Sequence, residues 1–469
     1  MKIRLNLTLF LASLVALFLG APILGLAGVW GFYVKGMPVP HFLKILHAHT
    51  AWWSLVLLLS SLIISSVNLK PFIKRIIIYS SFFIFPLYAL FITLHYTSNP
   101  SIINLGTFGR FFVTPYGFLA FLLEFLFFAQ MLILIFLAGG LKISFLQQKE
   151  EVLGKDEIES DVYVPRKVFL VYGIFLFISV LAGLFILSNF TLQHKPVSPA
   201  ALTQLHTHTG IFSVGFMMVM LAMSALGVNI EKLNFFFRFG TLSLLGTVIG
   251  LLIFILFKTH SIVWVLPSGL YFIFLIFGWL SLFGKFGLKV PSDNNYFHYL
   301  RWCLIVIWGA LLIYTSAGAY LALRYDVSSD LTVTYKQQGG GIEGKHVGPY
   351  PDVENYQGTA PVKHNPRGLE NFHLSPGSWS HVAILWLLIL LIFGKEIFQT
   401  IKAPNLLFAL AVTIVQAPII NSIGRIGAWL DLPGGIGPLF LVAQPLKTLN
   451  ILSLIVITIL FLSIKSKNK

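Results

Sequence analysis

Long apolar segments separated by short polar connections occupy most of this chain. The segments reach about 20 residues, the length that an α-helix needs to cross a lipid bilayer, and they lack the alternation of transmembrane β-strands. We predict about twelve spans, at residues 5–33, 42–68, 76–96, 115–140, 168–190, 199–228, 238–258, 262–284, 301–323, 378–399, 405–428 and 446–464. The pattern therefore predicts an all-α polytopic membrane protein.

The composition indicates the same class of protein. Of the 469 residues, 57% are hydrophobic and only 10% are charged, unlike the composition of a soluble domain. The formal charge of +15 comes from Lys and Arg in the short connections, so it indicates orientation in a membrane and not nucleic-acid binding. Cys303 is the single cysteine, which excludes disulfides and cysteine-pair metal motifs.

The basic residues are divided unevenly between the two sides of the predicted membrane. With twelve spans, one side receives Lys2, Arg4, Lys70, Lys74, Arg75, Lys142, Lys149, Arg166, Lys167, Lys232, Arg238, Lys285, Lys289, Lys395, Lys402, Lys465, Lys467 and Lys469. Because cytoplasmic loops are enriched in Lys and Arg, we predict a cell-membrane protein with both termini in the cytoplasm. The first apolar segment is retained as a span because it is too long for a signal-peptide core.

Two connections are longer than the rest. Residues 141–167 carry mixed charge and are predicted to form a solvated cytoplasmic segment. Residues 324–377 form a predicted extracytoplasmic loop that is rich in Gly, Pro and Tyr, and it is longer than an ordinary connector. We predict a docking surface or a lid in this loop, with a divergent connector as the alternative.

Histidines recur near the start of the second and sixth spans, in the segments Leu46–Thr50 and Leu205–Thr209. Both segments have the pattern Leu-His-x-His-Thr, and His381 follows near the start of the tenth span. Residues two apart point about 200° apart around an α-helix, so one pair can serve two sites. A polar ring within a membrane is costly unless it is paired or bound to a metal. The pattern therefore predicts histidine ligands to haem iron.

The chain is predicted to be a single membrane domain built from three repeats, at about residues 1–140, 168–284 and 301–464. In each repeat, a span containing small residues precedes a span containing histidine. Small residues allow two membrane helices to approach closely. We therefore predict a pseudo-threefold arrangement of four-helix repeats in which the histidine spans face one another.

The repeats can be aligned on the last histidine of each histidine span. This alignment superposes His49, His208 and His381. Two residues earlier stand His47, His206 and Trp379. Eight residues earlier stand His41 and His373, which are predicted to precede their helices and to cap them or contact haem propionates.

With these features the chain resembles subunit I of the haem–copper oxidase and nitric oxide reductase superfamily. The motifs that carry the resemblance are Leu46–His49, Ser316–Ala319, Pro376 to His381, and Arg425. The resemblance covers most of the chain in topology. It implies a low-spin haem held between the second and tenth spans, a high-spin haem on the tenth, and copper on the sixth and seventh.

The chain departs from that family at the centre that reduces gases. The seventh span, at 238–258, has no pair of histidines. Gly210 and Phe212 stand where the family has a tyrosine or glutamate on the sixth span, and Trp379 replaces a ligand to the high-spin haem. Electron transfer is therefore favoured over the reduction of oxygen or nitric oxide, and enzymatic activity stays an open question.

Carrying the family geometry around the pseudo-threefold axis predicts two b-type haems, each with two histidine ligands. One haem is placed between His381 and His47, and the other between His49 and His206. Iron with two imidazole ligands has both axial positions closed, which favours electron transfer. His208 is predicted to face a position left incomplete by tryptophan.

Each of the other polar residues near the predicted haems has two alternative roles. Arg425 is predicted to neutralise haem propionates, with an interfacial anchor as the alternative. Glu124 is the one acid clearly inside a span, and it is predicted to carry protons or contact a quinone, with a structural role as the alternative. His95 and His260 are predicted surface residues, although a copper site built from His206, His208 and His260 is a further, disfavoured alternative.

The predicted function is that of a respiratory-chain subunit that moves electrons between haems near the outer face and a quinone or a partner cytochrome. The expected partners are other respiratory-complex subunits, an extracytoplasmic cytochrome or Rieske-type protein, a quinone and the lipid membrane. Two alternatives stay open. One is a divergent terminal oxidase or nitric oxide reductase with a modified metal site, and the other is a cofactor-free scaffold or transporter.

Overall fold

A computed structural model of the chain describes residues 1–30, 41–98, 114–148, 154–193, 200–257, 259, 261–286, 295–324, 366–429 and 437–467. Within these ranges, twelve helices are long and apolar enough to cross a membrane. The predicted class, an all-α polytopic membrane protein, is confirmed.

The helices follow one another in the order that the apolar pattern predicts. They are α1 Leu7–Phe18, which continues as a π-helix at Leu19–Trp30, α2 His41–Ile63, α3 Pro71–Thr97, α4 Pro115–Gly139, α5 Arg166–Asn189, α6 Ala200–Ala225, α7 Ile230–Phe257, α8 Ile262–Ser281, α9 Asn295–Arg324, α10 Pro366–Thr400, α11 Pro404–Trp429 and α12 Gly437–Lys467. Most helix limits lie within several residues of the predicted ones.

The three helices that carry the paired or repeated histidines are the innermost ones. Within their apolar stretches, 82% of residues in α2, 72% in α6 and 78% in α10 are buried, against 33–50% in the other spans. Helix α10 packs against both α2 and α6, and each of the three packs along the helix that precedes it, α1, α5 or α9. The histidine helices therefore form the centre of the molecule, and their neighbours separate them from lipid.

Helix α10 begins twelve residues earlier than the predicted limit at residue 378, at Pro366. Residues 366–377, predicted as the end of a long loop, are helical and include Pro376 within the helix. Proline is tolerated inside membrane helices because neighbouring groups satisfy the carbonyl that it frees. Residues 325–365, where a docking surface or lid was predicted, lie outside the described residues.

A short antiparallel sheet joins the start of the chain to the connection between α4 and α5. Its strands are β1 Lys2–Asn6 and β2 Glu157–Tyr163, with Lys2 opposite Tyr163 and Asn6 opposite Glu157. Ile3 and Leu5 are fully buried. The segment 141–167, predicted to be solvated, is therefore partly built into the fold, because β2 pairs with a strand that packs against the helices.

Glu157 fastens this sheet to the ends of several helices. Its carboxylate forms an ion pair with Lys74 of α3 and accepts a hydrogen bond from Ser65 Oγ at 2.8 Å. Its backbone carbonyl accepts a hydrogen bond from Lys465 Nζ of α12 at 2.5 Å. A buried carboxylate is stable only when it is paired and hydrogen-bonded. These bonds hold α3, α12 and the sheet together at one end of the molecule.

Asn6 caps α1, and replacing it with alanine is expected to lower the free energy of unfolding by about 1 kcal/mol. The Asn6 side chain accepts a hydrogen bond from Leu9 N at 2.8 Å and donates one to Asp156 Oδ2 at 2.9 Å. Asn6→Ser keeps a capping oxygen and is expected to lose less. Unfolding in detergent measures both variants, and equal losses would assign the effect to the Asp156 bond instead of the cap.

Candidate functional site

Three histidines, one on each central helix, make the same contact with the helix that precedes them. In each, the imidazole Nδ1 donates a hydrogen bond to a backbone carbonyl: His47 to Gly20 at 3.0 Å, His206 to Ser179 at 2.8 Å and His373 to Tyr314 at 2.8 Å. A carbonyl oxygen can only accept, so Nδ1 carries the proton and Nε2 carries the lone pair. This is the form in which histidine binds a metal, with the ring oriented by its second nitrogen.

A glycine one helical turn beyond each carbonyl makes room for the ring. A Cβ atom added at Gly25, Gly183 or Gly318 would lie 2.5, 2.5 and 2.4 Å, respectively, from Cε1 of the facing histidine. In a helix the residue four positions later stands over a given carbonyl, and its side chain would block an approaching imidazole. The small residues predicted to allow close helix contact therefore serve a specific purpose, which is to seat a histidine on the backbone.

The repeated contact corrects the predicted alignment of the repeats. His373 takes the position of His47 and His206, and it lies inside α10 instead of before it. The predicted equivalence of Trp379 with His47 and His206 is wrong, because α10 begins earlier than Pro376 suggested. In the corrected alignment, Ser375 stands where α2 and α6 carry their second histidine.

The structure brings His49 of α2 and His206 of α6 together, as predicted. Their ring centres are 6.4 Å apart, with an angle of 26° between the ring planes. Two metal–nitrogen bonds of about 2 Å each, with about 1.2 Å from each nitrogen to its ring centre, would add to roughly 6.4 Å. The spacing of this pair therefore fits one iron atom held between two imidazoles. The His49 side chain is 24% exposed.

Glu124 of α4 lies beside this pair. Its Oε1 is 4.0 Å from His49 Nε2, and its side chain is 3% exposed. The fully buried Tyr88 of α3 lies beside the same histidine, with ring centres 6.4 Å apart, and its hydroxyl interacts with the Glu124 carboxyl group. A carboxyl group in a membrane interior is costly unless it is paired or hydrogen-bonded, and Tyr88 and His49 are polar groups that face Glu124 here.

A second group of histidines lies between α6 and α10. His208 and His381 each bond a carbonyl of their own helix through Nδ1, at Gln204 (3.2 Å) and Gly377 (2.9 Å). Both lie within electrostatic range of His373. The three imidazoles therefore share one side of the central bundle.

The structure does not support the predicted pairing of His381 with His47. His381 Nε2 lies 3.7 Å from the Cβ position of Gly215 on α6, so its ring faces α6 and not α2. Because it follows His373 by two helical turns, His381 lies deeper in the bundle than the three histidines that bond a carbonyl of the preceding helix. Of the predicted ligand pairs, His49 with His206 is the one that the structure brings together.

Two basic side chains, Arg425 and Lys447, interact with each other, and Lys447 also interacts with His47. Arg425 lies within α11, and Lys447 lies within α12. Lys447 is 6% exposed, and its ammonium lies 5.2 Å from the ring centre of Trp379. It is within electrostatic range of both Arg425 and His47. These cations can hold an anionic group near His47.

The remaining histidines give a mixed result. His95, predicted as a surface residue, is fully buried, and its Nδ1 lies 2.7 Å from Thr114 Oγ1. This prediction was wrong because the C-terminal end of α3 packs against the start of α4. His260, one of the three residues of the disfavoured copper alternative, lies outside the described residues.

The arrangement as a whole offers oriented imidazole nitrogens, a buried lysine beside a half-buried arginine, and one buried carboxyl group within a membrane bundle. In the described part of the chain, no group of three or more His, Cys, Asp or Glu side chains converges closely enough to hold a metal ion by itself. Iron in a porphyrin needs only two axial protein ligands, since the macrocycle supplies the others. Comparison of the chain with protein-family models, curated proteins and solved structures found no match.

Proposed function

We propose that this chain is a haem b-binding membrane subunit that transfers electrons within a respiratory chain. The observation that carries the proposal is the pair formed by His49 and His206, whose ring centres are 6.4 Å apart between two central helices. His206 is held by a backbone carbonyl that fixes its metal-binding nitrogen. The resemblance to the haem–copper oxidase superfamily supports the same cofactor.

His208 and His373 are the proposed ligands of a second b-type haem, between α6 and α10. The corrected alignment makes them the threefold equivalents of His49 and His206. Their electrostatic proximity supports this assignment, and it replaces the pairing of His381 with His47. The third equivalent position would pair His47 with Ser375, which is not a haem ligand. The proposal therefore keeps two haems and changes one pair of ligands.

A haem with two imidazole ligands supplies one-electron transfer at an iron atom whose axial positions are closed. The chain's own residues orient and protect it. The carbonyls of Ser179 and Tyr314 fix the rings of His206 and His373. The cations at Arg425 and Lys447 would compensate anionic groups such as propionates. Glu124 would hold or release a proton, or contact a quinone, beside His49.

The proposed partners are proteins and small molecules that can exchange electrons with haem near the outer face of a membrane. We propose a cytochrome or a Rieske-type protein on the outer side, with other respiratory-complex subunits and a quinone in the membrane. The excess of Lys and Arg in alternate connections supports an orientation with both termini in the cytoplasm.

The purified chain is expected to show a reduced-minus-oxidised spectrum of low-spin b-type haem that carbon monoxide does not change. Two histidine ligands leave no axial position for the gas. A spectral shift with carbon monoxide would favour a divergent terminal oxidase or nitric oxide reductase, in which His208, His373 and His381 surround an iron with an open position. Colourless protein, purified from cells supplied with haem, would contradict the proposal and favour a scaffold or transporter.

A further inference from the structure

A cavity of about 420 Å³ opens at the end of the molecule where the β1–β2 sheet lies. Four basic side chains line it, and no acidic side chain is among its lining residues: Lys2, Arg4, Lys142 and Arg166. The cavity is far from the central histidines, which lie near the opposite ends of α2 and α6. Its chemistry is therefore independent of the proposed haem sites.

Two of the four basic side chains in this cavity have no ion-pair partner among the described residues. Lys142 and Arg166 are exposed, and within the described ranges neither forms an ion pair. Lys2 and Arg4 share Glu159, at 3.4 and 3.3 Å. Desolvation acts to raise the pKa of Glu159, but the hydrogen bonds and charges of Arg4 and Lys2 outweigh it and lower that pKa. Glu159 is therefore ionised, and together with Asp161, which pairs with Lys2 at 3.7 Å, two negative charges face four positive ones.

The cavity lies level with the ends of the membrane spans. Its walls include Val67 after α2 and Leu137 of α4, while Leu141 at its rim is 51% exposed. Polar groups that can donate hydrogen bonds also line the cavity, at Asn68 and Gln148. A site that combines cations and hydrogen-bond donors with an exposed leucine matches a molecule with a charged head and an apolar tail.

A second cavity of about 410 Å³ adjoins the first. The two share Val67, Asn68 and Gln148 in their walls. The second adds Lys74, Arg75 and Lys155 as basic lining residues, with Asp156 as its one acid. The two cavities thus form one continuous basic surface along the predicted cytoplasmic boundary of the membrane.

We propose that the first cavity binds the phosphate-bearing headgroup of an anionic phospholipid. Basic pockets between membrane helices on the cytoplasmic side recognise such headgroups, and each nearby Lys or Arg contributes about 1 kcal/mol. The exposed Leu141 beside the cations favours a lipid over a free phosphate, because a free anion gains nothing from an apolar rim.

The test uses the full chain purified in detergent and measures lipid binding by native mass spectrometry. Phosphatidylglycerol is expected to bind more tightly than phosphatidylcholine. Lys142→Gln is expected to weaken phosphatidylglycerol binding about fivefold, and Lys142→Gln with Arg166→Gln about 20-fold. Lys232→Gln removes an exposed cation at the same end of the helices but outside the cavity, so it is the matched control and should leave binding unchanged.

Three results would overturn the proposal. The first is equal binding of phosphatidylglycerol and phosphatidylcholine. The second is equal binding by the double variant and the Lys232→Gln control. The third is full displacement of the lipid by millimolar inorganic phosphate, which would assign the cavity to a free anion. Because Lys142 is exposed, the single variant is expected to fold like the natural chain, and size-exclusion chromatography checks this.

Discussion

His206→Ala is expected to remove one of the two proposed haems and to halve the ratio of haem to protein. His206 is both the partner of His49, at 6.4 Å between ring centres, and the ring seated on the Ser179 carbonyl at 2.8 Å. Alanine removes the ligand and leaves the Ser179 carbonyl without the hydrogen bond from the imidazole. Because the second proposed pair lies between α6 and α10, its haem is expected to stay. The pyridine haemochrome assay, divided by protein concentration, measures the ratio.

His49→Ala should give the same loss, and the double variant should lose no more than either single one. Two ligands of one iron act as a unit, so their effects are not additive. His298→Ala is the matched control, since His298 lies near the start of α9 at the opposite end of the bundle from the site. An unchanged haem ratio in His206→Ala, with a normal elution profile, would contradict the proposed pair.

The class and the span count could be predicted because they depend on local composition. An apolar run of sufficient length crosses a membrane whatever the rest of the chain does. The β1–β2 sheet could not be predicted in this way, because Asn6 pairs with Glu157 across most of the first third of the chain. Pairing between strands so far apart is decided by how the helices bring them together, which no local pattern records.

The candidate site was predictable in its residue types and only partly in its geometry. The repeated Leu-His-x-His-Thr segments identified His49 and His206 directly. His373 was missed as a central residue because Pro376 resembles the first residue of a helix, while α10 in fact begins at Pro366. The spacing of eight residues between His373 and His381, two full helical turns, was the available signal. Lys447 was missed because it stands at the very edge of the predicted span, which began at residue 446, whereas α12 begins at Gly437 and contains Lys447 well inside it.

In the first repeat, the hydrogen bond between histidine and carbonyl is present although the preceding helix is a π-helix at this point. In α5 and α9 the glycine follows its carbonyl by four residues, as Gly183 follows Ser179 and Gly318 follows Tyr314. In the first repeat Gly25 follows Gly20 by five, within the π-helix that contains Pro22. A π-helix places the fifth residue over the carbonyl, so the extra residue preserves the geometry. Such insertions are frequent at functional sites.

Gly183→Ala is expected to lower the free energy of unfolding by about 1–3 kcal/mol, as overpacking does, and to weaken haem retention at the His49–His206 pair. The new Cβ would lie 2.5 Å from Cε1 and 2.7 Å from Nδ1 of His206. The ring cannot move aside freely, because its Nδ1 is bonded to Ser179 O at 2.8 Å. Either that hydrogen bond breaks or α5 and α6 separate, and both displace Nε2 from His49.

The matched control is Gly269→Ala on α8, where an added Cβ meets nothing within 4 Å. Alanine favours the helix over glycine by up to about 1 kcal/mol, so this variant should be neutral or slightly more stable. Both variants are compared by thermal unfolding in detergent and by haem content after extended dialysis. If Gly183→Ala behaved like Gly269→Ala in both measurements, the glycine would not be seating the histidine. If it lost stability while retaining haem and an unchanged spectrum, the contact would be structural and His206 would not depend on it to bind iron.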